Sequence, residues 1–344
     1  MARNYPRSVL VADVAPRSRR RRLPSLLATT AVVGVLGATG MLIAARKTID
    51  SVGRVPGVSN HLNPAGASIE NFLLVGSDSR AGADPNAVDA GGIGTEADVS
   101  GHRSDTIMIL RRDKSTGAAA LLSIPRDLWV QVPGHDQKRR INSAFSDGPE
   151  VLVQTLQQEL GLPIQHYVEI DFSGFKSLVD ALGGVEICVD FATRDVSTGL
   201  NITEPGCHNL GGVQALAYAR SRHYEEFRDD KWHEDPASDL GRTKRQQQFV
   251  NLALQTALDR IKVDPFSAGR LVTAIGSSLR VDDELDPIDA AASLRSAVGS
   301  GIATYSLPVV GKTIGGNAVL LLGDGSDAVL AYFRGEGPAP AANA

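Results

Sequence analysis

Cysteine is scarce. The 344 residues hold two, Cys188 and Cys207, too few for a disulfide scaffold or a structural zinc site. No histidine and acid stand placed to turn either one into a nucleophile. Neither sign of charge is in large excess: the net charge is −4, so no overall basic character argues for nucleic acid, and a helix-turn-helix pattern is missing too. The Gly-x-x-x-x-Gly-Lys phosphate loop is absent, so a nucleoside triphosphate is not indicated. What is present is ordinary for a globular chain, with 42% hydrophobic and 22% charged residues. The length suits one large domain or two small ones.

Charge is unevenly spread. Arg17, Arg19, Arg20, Arg21 and Arg22 precede a run from Leu23 to Ala45 with no charged residue. About 20 apolar residues cross a bilayer, so 23–45 is expected to be a transmembrane helix, although Ser25, Thr29, Thr30 and Thr39 make it only moderately hydrophobic. Basic residues stay cytoplasmic. Residues 1–22 are therefore expected inside and the bulk of the chain outside, as a single-pass protein of the cell membrane. The competing reading is a cleaved signal peptide, with sites at Ala38-Thr39-Gly40 or Ile43-Ala44-Ala45. The run exceeds the usual signal core of about 7–15 residues, which favours the anchor. Residues 46–68, with Pro56 and Pro64, read as a spacer.

The centre of the chain is a β-hairpin from Ser104 to Asp127. Ile107, Ile109 and the run Ala118–Ile124 are apolar and β-rich, and Lys114-Ser115-Thr116-Gly117 is a turn. Antiparallel pairing sets the start of one strand beside the end of the next, so Asp105, Arg126 and Asp127 are expected at one rim. A preceding strand, Asn71–Val75, ends in Gly76-Ser77-Asp78-Ser79-Arg80. That is turn chemistry in its own right, yet it brings another Asp and Arg to a strand end. The Gly-, Ala- and Asp-rich insert 81–102 reads as a loop near the site, its acids solvated.

Further on, helical spacing covers Pro149–Leu160, and a strand 166–170, a helix 172–182 and a strand 185–189 follow. This order indicates α/β architecture with helices covering a sheet. Cys188 and Cys207 suit a disulfide if the domain is extracytoplasmic, the alternative being a buried free thiol at Cys188. A helix 211–219 runs into Arg220-Ser221-Arg222-His223, whose arginines face one way if the chain is extended there. A polar insert, 224–236, leads to a helix carrying Arg242, Arg245 and Gln246, with Arg242, Gln246 and Phe249 on one face. Guanidinium forks suit phosphate; a solvated helix face is the plainer alternative. The C-terminal third has helices opening at Asp264-Pro265 and Pro287, strands at 279–281, 302–307 and 314–322, and a helix 326–333. It reads as support for the sheet, and 335–344 as a disordered tail.

Asp78, Asp105 and Asp127 with Arg80, Arg103, Arg126, Arg220, Arg222, Arg242 and Gln246 make a set rich in arginine. Carboxylates prefer hard cations such as Mg²⁺, which takes one or two of them plus phosphate oxygens. Arginines clamp phosphates and stabilise charge in the transition state. The pattern indicates phosphoryl transfer on a diphosphate-bearing substrate.

The motifs GSDSR (76–80), RSDTIM (103–108), SIPRD (123–127), RINSAF (140–145), ARSRH (219–223) and DLGRTKRQQQF (239–249) stand in this order. Together they resemble the LytR–CpsA–Psr family of membrane-anchored bacterial cell-wall proteins, in its actinobacterial form, over roughly 69–260. The resemblance implies an α/β/α sandwich around a central mixed β-sheet, placed at 69–334, and an apolar tunnel for the lipid tail. It implies a glycopolymer–peptidoglycan phosphotransferase, taking a teichoic acid or other wall polysaccharide from a polyprenyl-pyrophosphate carrier. The expected partners are that lipid-linked glycan, peptidoglycan and the membrane, with no nucleic acid, and the expected cofactor is Mg²⁺, or Mn²⁺ in its place. By motif, Asp78 and Asp105 match the metal-associated aspartates and candidate proton acceptors, and Arg126 the pyrophosphate-binding arginine. Asp127 matches a base or an orienter of Arg126. Arg220, Arg222, Arg242 and Gln246 match the basic half of the substrate site; Arg80 and Arg103 join that group without an individual role. Two other functions compete: a pyrophosphatase or phosphodiesterase on the same donor, and a non-catalytic carrier-binding or regulatory protein.

Overall fold

A computed structural model describes residues 52–66, 68–79, 104–236, 238–263, 276, 278–286 and 301–342. All lie in Lys47–Ala344, the second of two units in the chain. The run 23–45, the insert 81–102, Arg80, Arg103 and the helices expected from Asp264 and Pro287 lie outside the described residues. Among the described residues no helix is long and apolar enough to cross a membrane.

The first strands are β1 (Gly53–Arg54), β2 (Ile69–Ser77), β3 (Ser104–Asp113) and β4 (Ala119–Ile124). Short strands β5 (Trp129–Val130) and β6 (Arg139–Arg140) lead through a 3-10 turn, Ile141–Asp147, into helix α1 (Pro149–Leu160). Strand β7 (His166–Ile170), helix α2 (Phe172–Ala181) and strand β8 (Val185–Val189) follow. Next come β9 (Thr193–Asp195), β10 (Leu200–Ile202), β11 (Gly206–Leu210), helix α3 (Gly212–Arg220), β12 (Glu225–Arg228) and β13 (Lys231–Glu234). Helix α4 (Ser238–Val263), β14 (Leu279–Val281), β15 (Ile302–Ser306), β16 (Val309–Ile314), β17 (Asn317–Leu322) and helix α5 (Ser326–Arg334) are the remaining elements among the described residues.

Among the described residues seven strands form the central sheet, in the order β1-β14-β7-β2-β3-β4-β15. It is mixed: β2 runs antiparallel to β3 and parallel to β7, and β4 antiparallel to β3 and parallel to β15. The period-2 alternation sends its side chains to two cores. Leu73, Val75, Ile107, Ile109, Leu122 and Ile124 face α1, the 3-10 turn and α5. Phe72, Met108, Leu110 and Leu121 face the other way, where Val250 and Leu254 of α4 cover them. A separate core joins α2, α3 and α4 to the β8, β10 and β11 strands. Helices on both faces of a mixed sheet match the architecture expected.

Four segments differ from their reading. The spacer 46–68 belongs to the domain from Val52 onward: β1 is an edge strand, and Val52, Val55 and Val58 are buried. Three valines at a spacing of three hold down an otherwise turn-rich segment. The strand expected at 314–322 is half of a hairpin, β16–β17, because Gly315 and Gly316 take φ of 55° and 80°, the left-handed pair that a tight hairpin turn requires. The polar insert 224–236 is also a hairpin, β12–β13, turning at Asp229 and Asp230 and pairing through β12 with β9. At the C-terminus, Gly335 closes α5 and Glu336 pairs with Arg334 at 2.7 Å, so the start of the tail read as disordered is held in place.

Candidate functional site

The β2–β3 ladder runs regularly until Gly76 faces Thr106, then slips, and Ser77 faces Ser104. Asp105 is the extra residue. Such a bulge re-aims a side chain and often lies beside a functional site. Glycine is needed at 76 because an added Cβ would stand 2.9 Å from Thr106 Cβ. Gly76→Ala is expected to push β3 outward and displace Asp105. Any activity that depends on Asp105 should fall, by about a hundredfold for a shift of about 1 Å, while far-ultraviolet circular dichroism stays unchanged; an undiminished rate would show that the bulge is indifferent to the site.

Asp105 stands at the rim with the loop after β4. Its Oδ1 accepts from Arg126 Nη1 at 2.8 Å and from Arg222 Nη2 at 3.4 Å. Arg126 Nε lies 3.5 Å from Asp127 Oδ2, and Arg140 Nε lies 3.4 Å from Asp127 Oδ1. The result is an alternating row, Arg222–Asp105–Arg126–Asp127–Arg140, with one more guanidinium than carboxylate. These side chains are 17% to 38% exposed, so the row is sheltered but open to a ligand.

Three members are held from behind. Leu320 N–H of β17 donates to Asp127 O at 3.0 Å. Arg140 donates through Nε and Nη2 to Ala318 O at 3.2 and 2.9 Å. The C-terminal hairpin thus supports the site and not the sheet alone. Arg222 is held by Asp195, which is fully buried. Asp195 Oδ2 accepts from Ser221 Oγ at 2.6 Å and from the N–H groups of Arg222 and His223, each at 3.0 Å. Its Oδ1 accepts from Ser197 N–H and Oγ and from Thr198 N–H. Burial alone would raise the Asp195 pKa; bonds from Ser197, Ser221 and the His223 N–H outweigh it and hold it below the ordinary value.

The other expected residues are placed as follows. Asp78 is half-buried just past the end of β2. Arg220 lies over the Phe172 ring at 4.4 Å. Arg242 is buried on α4. Gln246 donates to Ala219 O at 3.1 Å, closing the end of α3. Its neighbour Gln247 is the buried glutamine, donating to Ser123 Oγ at 2.9 Å and Tyr305 O at 2.6 Å between β4 and β15. Arg245 is buried too, bonding Ser221 O at 2.7 Å and Asp235 at 3.1 Å and covering the Tyr224 ring at 4.3 Å. Cys188 and Cys207 face each other across β8 and β11 and are disulfide-bonded at exposed positions.

Arg140, Asp195 and Gln247 are the site-building residues that sequence reasoning missed, and Arg245, placed on its helix, was given no role. Arg140 opened a motif already singled out; nothing in the local sequence marked Asp195. As for a metal, the group of ligating residues found among the described residues is Glu186 with Cys188 and Cys207, and the disulfide uses both sulfurs. Asp105 fits Mg²⁺ better. Both its ion pairs use Oδ1, and among the described residues its Oδ2 takes part in none. One free carboxylate oxygen plus substrate phosphate is an ordinary Mg²⁺ donor set.

The profile of the LytR_cpsA_psr family matches residues 43–329. The chain belongs to the LytR–CpsA–Psr family. A probable cell wall biosynthesis protein, LcpB of Corynebacterium glutamicum, is 37% identical over 241 residues, covering 70% of this chain and 54% of that protein. The polyisoprenyl-teichoic acid–peptidoglycan teichoic acid transferase TagU of Halalkalibacterium halodurans is 33% identical over 204 residues, covering 59% of this chain and 62% of that one. The chain thus spans little more than half the length of these curated relatives. Among solved structures, the LytR-Csp2A-Psr enzyme from Actinomyces oris superposes with a TM-score of 0.61 at 27% identity, covering 82% of this chain and 95% of that one. The mixed sheet described above is therefore the LytR–CpsA–Psr fold, and relatives carrying it are named for cell-wall biosynthesis and teichoic acid transfer.

Proposed function

We propose that this LytR–CpsA–Psr protein transfers a wall glycopolymer, teichoic-acid-like or another polysaccharide, from a polyprenyl-pyrophosphate carrier to peptidoglycan. The observation that carries the reading is the row Arg222–Asp105–Arg126–Asp127–Arg140 at the rim of the sheet. Its surplus guanidinium charge matches a pyrophosphate, whose charge moves onto the leaving phosphate as the bond breaks. The acceptor hydroxyl of peptidoglycan attacks the sugar-side phosphorus. The new P–O bond forms as the bridging P–O bond breaks, and polyprenyl phosphate leaves. Arg126 sits between two carboxylates and can meet phosphate oxygens of both halves. Asp127, Asp78 or Asp105 takes the hydroxyl proton. Asp105, with Asp78, would hold Mg²⁺ or Mn²⁺, which when bound neutralises pyrophosphate charge. In the cell the chain would work outside the membrane, anchored through 23–45, where lipid carrier and peptidoglycan meet.

The test is transfer of labelled lipid-pyrophosphate glycan to peptidoglycan oligomer by the full chain in detergent, with Mg²⁺ and with EDTA. Label on the peptidoglycan that needs Mg²⁺ is the expected result. Label released only as free sugar phosphate would make the protein a hydrolase. Tight donor binding with no turnover would make it a carrier-binding protein.

A further inference from the structure

The hairpin β12–β13 presents an aromatic face that the transfer site does not use. In the sheet β10-β9-β12-β13, Arg194 is opposite Glu225, and Phe227 is opposite Trp232. Period-2 alternation puts these four side chains on one face. On the other face Thr193 is buried, its Oγ1 bonding the Tyr224 hydroxyl at 3.2 Å. On the open face the Phe227 and Trp232 rings lie 5.3 Å apart, and Phe227 is 41% exposed. The Arg194 guanidinium lies 4.0 Å from the Trp232 ring centre and is itself fixed by Glu225 at 2.6 Å. The exposed Phe227 ring, backed by the half-buried Trp232 and edged by held polar groups, offers a flat surface for a ligand. Phe227 shows the apolar ring that the C–H side of a sugar covers, and the Arg194–Glu225 pair offers donors and acceptors for its hydroxyl and amide groups.

Charge selects among occupants. The hairpin carries Glu225, Glu226, Asp229, Asp230 and Glu234 against Arg228 and Lys231. Its tip is the pair Asp229-Asp230. A phosphate-rich polymer is repelled, and so is an anionic bilayer, which a membrane-entering hairpin would meet with bases at its tip. An uncharged glycan chain is not. The face is also joined to the site. β12 pairs with β9, whose Asp195 fixes Arg222, and Phe227 follows Arg222 by about 17 Å of extended chain. We propose that this face docks the uncharged amino-sugar backbone of the peptidoglycan acceptor, a proposal that rests on the transfer reading for the identity of the glycan.

The chain has two tryptophans, so Trp129→Phe leaves Trp232 as the sole reporter. The full chain in detergent is titrated with a β-1,4-linked N-acetylglucosamine tetramer. A saturable change in Trp232 emission is expected, weakened about tenfold by Phe227→Ala and also weakened by Arg194→Gln. Poly(glycerol phosphate) should produce no change. Silence toward the tetramer overturns the proposal, as does a response to poly(glycerol phosphate) or to phosphatidylglycerol vesicles that the tetramer does not displace. Arg126→Ala should leave the response intact. A response in a protein that transfers nothing would overturn the transfer reading alone, and transfer without a response would overturn the docking face alone.

Discussion

Arg126→Ala is expected to lower transfer by about a thousandfold, the cost of removing a charged group that meets the transition state. Arg126 touches both carboxylates of the row, Asp105 at 2.8 Å and Asp127 at 3.5 Å. Without it the two acids flank a gap where the pyrophosphate should sit, and the row turns from a surplus of positive charge to balance. Lysine should restore little, because a single ammonium cannot reproduce a planar fork that meets two partners at once. Stability should barely change, since the freed carboxylates remain open to water. A melting temperature near that of the parent, together with lost turnover, separates chemistry from folding. Full activity in Arg126→Ala would overturn the site assignment.

The second large effect belongs to a residue that touches no substrate. Asp195→Asn is expected to destabilise the fold by about 3 kcal/mol, because an amide offers one acceptor oxygen where both carboxylate oxygens are now fully engaged. Either the turn after β9 or the segment Ser221–His223 must lose its anchor. The latter loss frees Arg222 from Asp105, so the KM for the lipid-linked donor should rise in protein that remains folded. The pH dependence follows from the lowered pKa. A group held below its unfolded value stabilises fully above about pH 4 and loses that contribution as pH falls through its lower folded value. Melting curves of parent and variant should therefore lie furthest apart at neutral pH and converge in acid. A gap that stays constant would mean that Asp195 acts through shape and not through charge.

The hairpin and its acidic rim were legible because they depend on local pattern. Alternating Ile107, Ile109 and the Ala118–Ile124 run determine two strands, and antiparallel geometry then puts Asp105 near Arg126. The helices 149–160 and 172–181 were legible for the same reason, from apolar spacing and a glycine stop. What escaped was set by tertiary partners. Which glutamine of Gln246-Gln247-Gln248 turns inward depends on the rotation of α4 against β4, and no feature of the local sequence distinguishes Gln247. Asp195 sits in a turn-rich stretch where an aspartate is expected to bond its own backbone, as it does with Ser197; its second oxygen reaches a segment 26 residues away. The valines of the supposed spacer were overshadowed by the prolines beside them.

The bonds that define the site join parts of the chain that lie far apart. Asp105 and Arg222 are 117 positions apart, and Arg140 and Ala318 are 178 apart. Contacts of such long span form late, after the entropy of closing the intervening loops has been overcome. The hairpin alone can bring Asp105 to Arg126, 21 residues away, but two of the three guanidinium groups take their places only when the middle and the C-terminal hairpin have docked. Competence for the proposed transfer would then mark the completion of folding: a nascent chain, or one missing its last hairpin, would present the carboxylates without the full row of guanidinium groups.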